Sequence, residues 1–310
     1  MAETPVAHQP LAKQSVPWWR TLRGQERLVG YGFLLPDVIG LSMFLGLPII
    51  GAFWISFHNW SLIGDSTWAG LDNYRTVAED EAFRDALKVT AIYTFSFVPL
   101  LYVCSLGLAL LVNQKLHLTG LFRMAYFLPF MFSLAISSVV WSLLLDERLG
   151  PINVALGWVG IPSQAWLGSE KLALASVVMV TLWQGVGFGM IIFLAGLQDI
   201  PRSYYEAAVV DGASAWRRFA SITMPLLKPT TAFVLVISFI SALQVFDPIY
   251  IMTQGGPANS TTTAVFYIYQ QGFKFLQFGY ASALSVVLFA IILVFTLVQL
   301  RVFRQEDLRG

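Results

Sequence analysis

The sequence predicts an all-α integral membrane protein with six transmembrane helices and both termini in the cytoplasm. Three observations lead there. Of 310 residues, 56% are hydrophobic and 12% charged, and the mean hydropathy is +0.67, far above that of a water-soluble domain. The sparse charges leave six intervals, 38–64, 89–114, 124–145, 172–198, 229–246 and 275–300, each close to or beyond the roughly 20 residues that carry a helix across about 30 Å of hydrocarbon. Lys and Arg then fall unevenly between alternate connections, 13 of 19 on the side of the two termini and 6 on the other. Cytoplasmic loops hold that excess. A β-barrel is excluded because stretches such as Val286–Leu300 are apolar without alternation, whereas barrel strands alternate over about 10 positions.

Residues 1–27, with Pro5, Pro10, Pro17, Lys13, Arg20 and Arg23, read as a flexible tail, in which Trp18 and Trp19 mark either the headgroup level or ordinary tail aromatics. The first span and its outward loop occupy 28–85. Asp37, following Pro36, reads as a helix-start residue, and no small-residue cleavage site precedes Asp65, so a removed signal peptide is not expected. Residues 86–302 form the remaining membrane core and 303–310 a cytoplasmic tail. The fifth span meets Asp247 and is expected to continue to about Met252.

Several classes of chemistry lack their residues. The charge balance, 19 basic against 18 acidic, builds no face for nucleic acid. The single cysteine, Cys104, supports neither a disulfide nor a cysteine zinc site. No lysine follows a glycine, so the phosphate-cradling loop of nucleotide hydrolases is missing and any ATP must be held by another subunit. His8, His58 and His117 lie in three different connections and read as loop residues. Gly185, Gly187 and Gly189 fall in mid-span, where glycine serves helix packing more often than dinucleotide binding.

The most regular connection is the cytoplasmic segment 198–228. Asp199-Ile200-Pro201 opens a short helix over Arg202–Val210, and Asp211-Gly212 supplies a residue able to take a left-handed cap. A second short helix is expected from Ala213 to about Ile222, ending before Pro225. Trp216, Phe219 and Ala220 share one of its faces, and Arg217 and Arg218 another. Amphipathicity alone leaves two readings open, a docking element for a soluble partner or a hairpin lying on headgroups.

The spacing Glu206-Ala207-Ala208, three residues, Gly212, nine residues, Ile222-Thr223-Met224-Pro225 resembles the EAA loop of permease subunits in binding-protein-dependent ABC importers. The chain departs from the family pattern only at Met224, where leucine is usual, a swap that keeps volume. The resemblance implies the type I ABC importer permease fold, with the loop as a coupling helix seated on a cytoplasmic ATPase subunit. Glu206, Ala207, Ala208, Asp211, Gly212, Ile222 and Pro225 would form or position that contact. It further implies a second homologous permease, two ATPase subunits that carry ATP and Mg, an extracytoplasmic solute-binding protein, and a multi-pass place in the cell membrane. No catalytic residue, metal or cofactor is then expected in this chain.

Phe246-Asp247-Pro248-Ile249-Tyr250-Ile251-Met252-Thr253-Gln254-Gly255-Gly256-Pro257 resembles the carbohydrate-uptake branch of that family, of the maltose- or glycerol-phosphate-importer type. Leu71–Tyr74 and Gly120–Arg123 extend the likeness over about 30–300. From the residues themselves, Ser238, Ser241, Gln244 and Asp247 recur every three positions as a polar stripe that would be unfavourable against lipid. Trp183, Gln184, Gly185 and Phe188 add aromatic faces and an amide. Together these are the candidate substrate pathway, because sugars are held by aromatic faces and a few hydrogen-bonding groups in an apolar wall. The other use of the same residues is helix packing and interhelical hydrogen bonding, and Asp247, near the outward end, is as well suited to a structural role. Asp65, Asp72, Glu79, Asp80, Glu81 and Asp85 are outward acids available to a docking protein. Same-architecture importers of glycerol phosphate, glycerophosphodiester or polyamine are the nearest alternatives. An ion-coupled carrier lacks the expected internal repeats, and a membrane enzyme lacks a catalytic pair in the spans.

Overall fold

In the computed structural model, residue 19 and residues 22–60, 66–114 and 119–307 are described. The tail before Trp19, Trp18, His8, Asp65 and His117 lie outside them. The chain divides into two compact units, Met1–Trp54 and Ile55–Gly310.

The first unit is helical. Helix α1 (Leu22–Leu41) passes through a π turn, Ser42–Gly46, into α2 (Leu47–Ile55), so an apolar helical run covers Gln25–Ile55. It begins earlier than the interval 38–64 and ends before it. Uncharged intervals locate hydrocarbon, whereas Arg23, Glu26 and Arg27 extend the same helix beyond it. Asp37 is accordingly within α1, after an interior Pro36, and does not start a helix.

In the second unit, the chain after Ile55 leaves the helical path. Strands β1 (His58–Asn59) and β2 (Thr67–Trp68) pair antiparallel. The buried Asn73 of α3 (Asp72–Glu79) pins this turn by donating from Nδ2 to the Ser56 and His58 carbonyls at 2.9 and 3.1 Å. Asp80 then caps α4 (Glu81–Val112) by accepting from the Phe83 N–H at 3.1 Å, an acceptor placed where the first turn has orphan donors. The third span is not one helix. It consists of α5 (Thr119–Met131) and α6 (Leu134–Leu144), bent by 96°. Pro129 lies in the last turn of α5, and Ser133 is extended (φ −60°, ψ 137°), so the helical ladder cannot continue.

Helix α7 (Pro151–Trp158) leads to α8 (Ala173–Asp199), α9 (Arg202–Val210) and α10 (Ala215–Arg218). A π turn, Phe219–Thr223, joins α10 to α11 (Met224–Leu226). The second loop helix thus continues past Ile222 and through Pro225. That proline is the penultimate residue of the run, directly before the chain bends. A 66° bend separates this run from α12 (Lys228–Leu243). The fifth span ends at Leu243; a π turn, Ile249–Thr253, follows as a separate piece, in place of one helix to Met252. Helices α13 (Ala264–Tyr269) and α14 (Phe278–Asp307) complete the chain, separated by a further π turn, Gln270–Lys274. Helix α14 runs past the sixth interval and into the segment expected to be a tail.

Helix α4 packs most extensively on α8, which also receives α5; α12 packs against both α4 and α14. Glycine permits the closest approach. A Cβ on Gly187 would stand 1.9 Å from the Tyr126 carbonyl oxygen, and one on Gly189 2.4 Å from Ser105 Oγ. One buried cluster centres on Tyr93, Val177, Val180, Ile249 and Phe266. A second, toward the 199–228 loop, centres on Ala109, Met190, Phe193 and Leu227.

Candidate functional site

Between α4, the α5–α6 break, α8 and α12 lies a cavity of about 590 Å³. Its apolar wall includes Phe97 and Leu101 of α4, Phe130 and Phe132 at the break, and Phe188 and Ile192 of α8. Tyr93 and Phe97 stack at 5.6 Å with 8° between ring planes, and Phe130 stacks on Phe188 at 4.6 Å. The polar groups are few. Tyr93 donates its hydroxyl to Thr181 Oγ1 at 3.0 Å, and Thr181 donates to the Val177 and Val178 carbonyls.

Gln184 links the break to the cavity. Its Nε2 donates to the Phe132 carbonyl at 2.7 Å, satisfying an oxygen that the interrupted helix would otherwise leave bare. The side chain is only 6% exposed, and its Oε1 has no hydrogen-bond partner. A buried acceptor without a partner is unfavourable by roughly 1–3 kcal/mol, so an occupant able to donate a hydroxyl hydrogen is favoured there.

Of the eight residues that the sequence offers as a pathway, Gln184, Gly185, Phe188, Ser238, Ser241, Gln244 and Asp247 line this cavity. Trp183 does not. It meets Trp141 edge to face at 5.4 Å and is 41% exposed. Adjacent residues on a helix project about 100° apart, so Trp183 and Gln184 cannot share the wall. Ser238 is buried, Ser241 and Gln244 are exposed, and Asp247 is half-buried. Gly185 and Gly189 border the cavity, and Gly187 and Gly189 are also the positions of closest helix approach. Sequence reasoning missed Tyr93, Phe97, Phe132 and Thr181; the four-residue spacing of Tyr93 and Phe97 on one helix face was the available signal.

At the opposite end of the spans, α9 ends where Ala213 N–H donates to the Ala208 carbonyl and Gly212 takes φ +72°. Ser214 caps α10 by accepting from the Arg217 N–H at 3.3 Å. The loop is tied down on one side only. Tyr205, Phe219, Ile222 and Met224 pack on the cluster around Phe193 and Leu227, and a 2.9 Å hydrogen bond between the Tyr205 and Thr223 hydroxyls joins α9 to the π turn. The other side is open: Glu206, Ala207, Asp211 and Pro225 are exposed and Ala208 is half-buried. Val210 and Trp216 are 88% and 74% exposed.

Among the outward acids, Asp80 is already engaged. Besides capping α4 it accepts from the Tyr267 hydroxyl at 2.7 Å and from the Tyr280 hydroxyl. Burial raises its carboxyl, but the two phenols and the Phe83 and Ala82 N–H groups outweigh that and hold it below its ordinary value. The same contact, after burial, pushes Tyr267 up to about 12. Among the described residues no group of three His, Cys, Asp or Glu is placed to hold a metal ion.

Residues 82–305 match the family of binding-protein-dependent transport system inner membrane components. The chain is 37% identical over 297 residues to the sulfoquinovosyl glycerol transport system permease protein of Agrobacterium fabrum, covering 95% of this chain and 96% of that protein. It is 37% identical over 287 residues to the trehalose/maltose transport system permease protein of Thermococcus litoralis, covering 91% and 96%. Among solved structures it superposes, with a TM-score of 0.82 and 25% identity over 93% of this chain and 97% of the other, on a chain of a bacterial alginate ABC transporter in complex with an alginate pentasaccharide-bound periplasmic protein.

Proposed function

This chain belongs to the family of binding-protein-dependent transport system inner membrane components, and from that premise we propose that it is the membrane-spanning permease subunit of an ATP-driven carbohydrate importer. The sugar is a di- or oligosaccharide or a related derivative, delivered by an extracytoplasmic solute-binding protein. The observation that carries the reading is the cavity. Its volume falls within the roughly 300–1,000 Å³ of small-molecule sites. It combines aromatic faces with the unpartnered Gln184 Oε1, two serines, Gln244 and one carboxylate.

The wall that this chain contributes holds no Lys or Arg, which favours a neutral sugar over glycerol phosphate, an anion that would need a cationic partner. The named relatives belong to transport systems for the anionic conjugate sulfoquinovosyl glycerol and for trehalose and maltose, which supports a carbohydrate here, while the choice of a neutral one rests on the wall alone.

The work of ATP hydrolysis lies on two separate cytoplasmic subunits, which hold ATP and Mg; this chain is the conduit and a second homologous permease completes it. The exposed face of α9 and α10 is the surface on which an ATPase subunit sits. Glu206 supplies charge, Ala207 and Ala208 allow close approach, and Gly212 makes the turn. Movement of that face pulls on α12 through the bend at Leu227, and so reaches the cavity wall at Ser238 and Ser241.

The test is uptake of labelled neutral disaccharides into proteoliposomes holding the whole assembly, with ATP inside and the binding protein outside. Gln184→Leu, which keeps the volume and removes both the Oε1 acceptor and the Nε2 donor to the Phe132 carbonyl, is expected to lower uptake about tenfold, with recovery of the variant in the assembly as the control for the lost Phe132 contact. Uptake that persists without ATP and follows an ion gradient would sink the proposal.

A further inference from the structure

We propose a second sugar-binding site beyond the cavity, a track of ring faces formed by Phe246, Tyr250, Tyr269 and Phe273 that holds sugar rings on their way to it. The inference rests on the sugar-import reading above. Phe246 lines the cavity and also begins the track. Its ring stacks on Tyr250 at 5.3 Å with 16° between planes and meets Tyr269 at 5.2 Å. Tyr269 in turn stacks on Phe273 at 5.3 Å with 23° between planes. The row thus runs away from the cavity at the end of the spans opposite the 199–228 loop. Phe246 and Tyr269 are half-buried, Tyr250 is 39% exposed, and Phe273 at the outer end is 67% exposed.

Two features distinguish the row from a face made for lipid. Tyr250 and Phe273 stand on two of the π turns, Ile249–Thr253 and Gln270–Lys274, and such turns are frequent at functional sites. The second turn also carries Gln270, Gln271 and Lys274 beside Phe273, with Lys274 Nζ 5.6 Å over the Phe266 ring. Amide and ammonium groups are unfavourable in hydrocarbon but suit a wet path. A sugar ring presents C–H groups on its flat face and hydroxyls at its rim. The ring faces of Tyr250 and Phe273 that are not turned to their stacking partners take the former, and the glutamine amides take the latter. Each residue offers only a partial site, so a ring moves along the row without being held fast.

The test uses the complete assembly in nanodiscs without its binding protein, and reads saturation transfer by NMR from the protein to trehalose and to maltotriose at millimolar concentration. Mannitol, which has no ring face, is the comparison. Tyr250→Leu and Phe273→Leu keep apolar bulk and remove the aromatic face. Each is expected to reduce transfer to the sugar ring C–H protons about threefold, more for maltotriose than for trehalose, with mannitol at background throughout. Unchanged transfer in both variants, while the unaltered assembly binds the sugars, would overturn the track and leave the importer reading standing. Absence of transfer and of uptake for every sugar in the unaltered assembly would overturn both. If Phe273→Leu instead releases the second permease from the purified assembly, the row is a subunit contact and the track is wrong.

Discussion

Residues 199–228 and residues 244–277 both join consecutive spans, yet the first turns apolar side chains outward and the second turns hydroxyls inward. On α9 and α10, Tyr204, Val209, Val210 and Trp216 are exposed, while Ile200, Tyr205, Phe219, Ile222, Met224 and Leu227 pack the loop on the bundle. In the other connection Thr261 and Thr263 are fully buried. Thr261 donates to the Gly256 carbonyl at 2.8 Å and lies 2.7 Å from Thr253 Oγ1, while Thr263 donates to the Val245 carbonyl at 3.2 Å. If the first connection is the ATPase seat proposed above, its exposed side chains are held for a partner, whereas the threonines of the second hold its own shape beside the cavity. Substitutions in the two regions should therefore separate stability from activity.

The largest expected effect on stability is at Gly187→Ala. The new Cβ would clash with the Tyr126 carbonyl, forcing α5 and α8 apart at about 3 kcal/mol; the thermal unfolding midpoint of the purified chain in detergent measures it. Thr261→Val keeps the shape but strands buried partners, and a loss of about 2 kcal/mol is expected in the same assay. Gly212→Ala meets no atom within 4 Å. It carries only the backbone strain of φ +72°, about 1 kcal/mol, yet coupled uptake should fall much further than that stability loss implies. If Gly212→Ala proves as destabilising as Thr261→Val, the contrast between the two regions fails.

A smaller effect is expected with pH. The folded Asp80 carboxyl titrates below the ordinary value of 3.8, so its contribution to stability is complete above that value. It is lost as pH falls through the lower folded-state value. Unfolding midpoints followed downward from about pH 5 should therefore decline, and Asp80→Asn should flatten that decline; equal slopes would show that the Tyr267 and Tyr280 contacts do not tie α4 to α13 and α14.

What the sequence made legible follows the range of the interactions. Glu206 through Pro225 are fixed by spacing within 20 residues, and the helix at Arg202–Val210 with its glycine turn is where that spacing puts it. The stripe Ser238, Ser241, Gln244 and Asp247 was visible because polar residues are rare in these spans, and the structure gathers all four on one cavity wall. The break at Phe132–Ser133 was hidden, since hydropathy runs unbroken across it and Pro129 is its one mark. Tyr93 and Thr181 are 88 positions apart, so only the packing of α4 on α8 pairs them. Asp80 looked like a free surface acid because its partners, Tyr267 and Tyr280, stand 187 and 200 positions away.

The most direct test of the account is solute-stimulated ATP hydrolysis by the reconstituted assembly with its binding protein, comparing the unaltered subunit with Glu206→Ala combined with Gly212→Pro. Proline cannot adopt the positive φ at position 212, and membrane insertion of both forms is checked by their recovery in the purified assembly. The expected result is that sugar stimulates hydrolysis several-fold in the unaltered assembly, and that stimulation and uptake both collapse in the variant while the subunit still inserts. Full stimulation and uptake in an inserted variant would contradict the account, because the loop would then not carry the motion that drives transport.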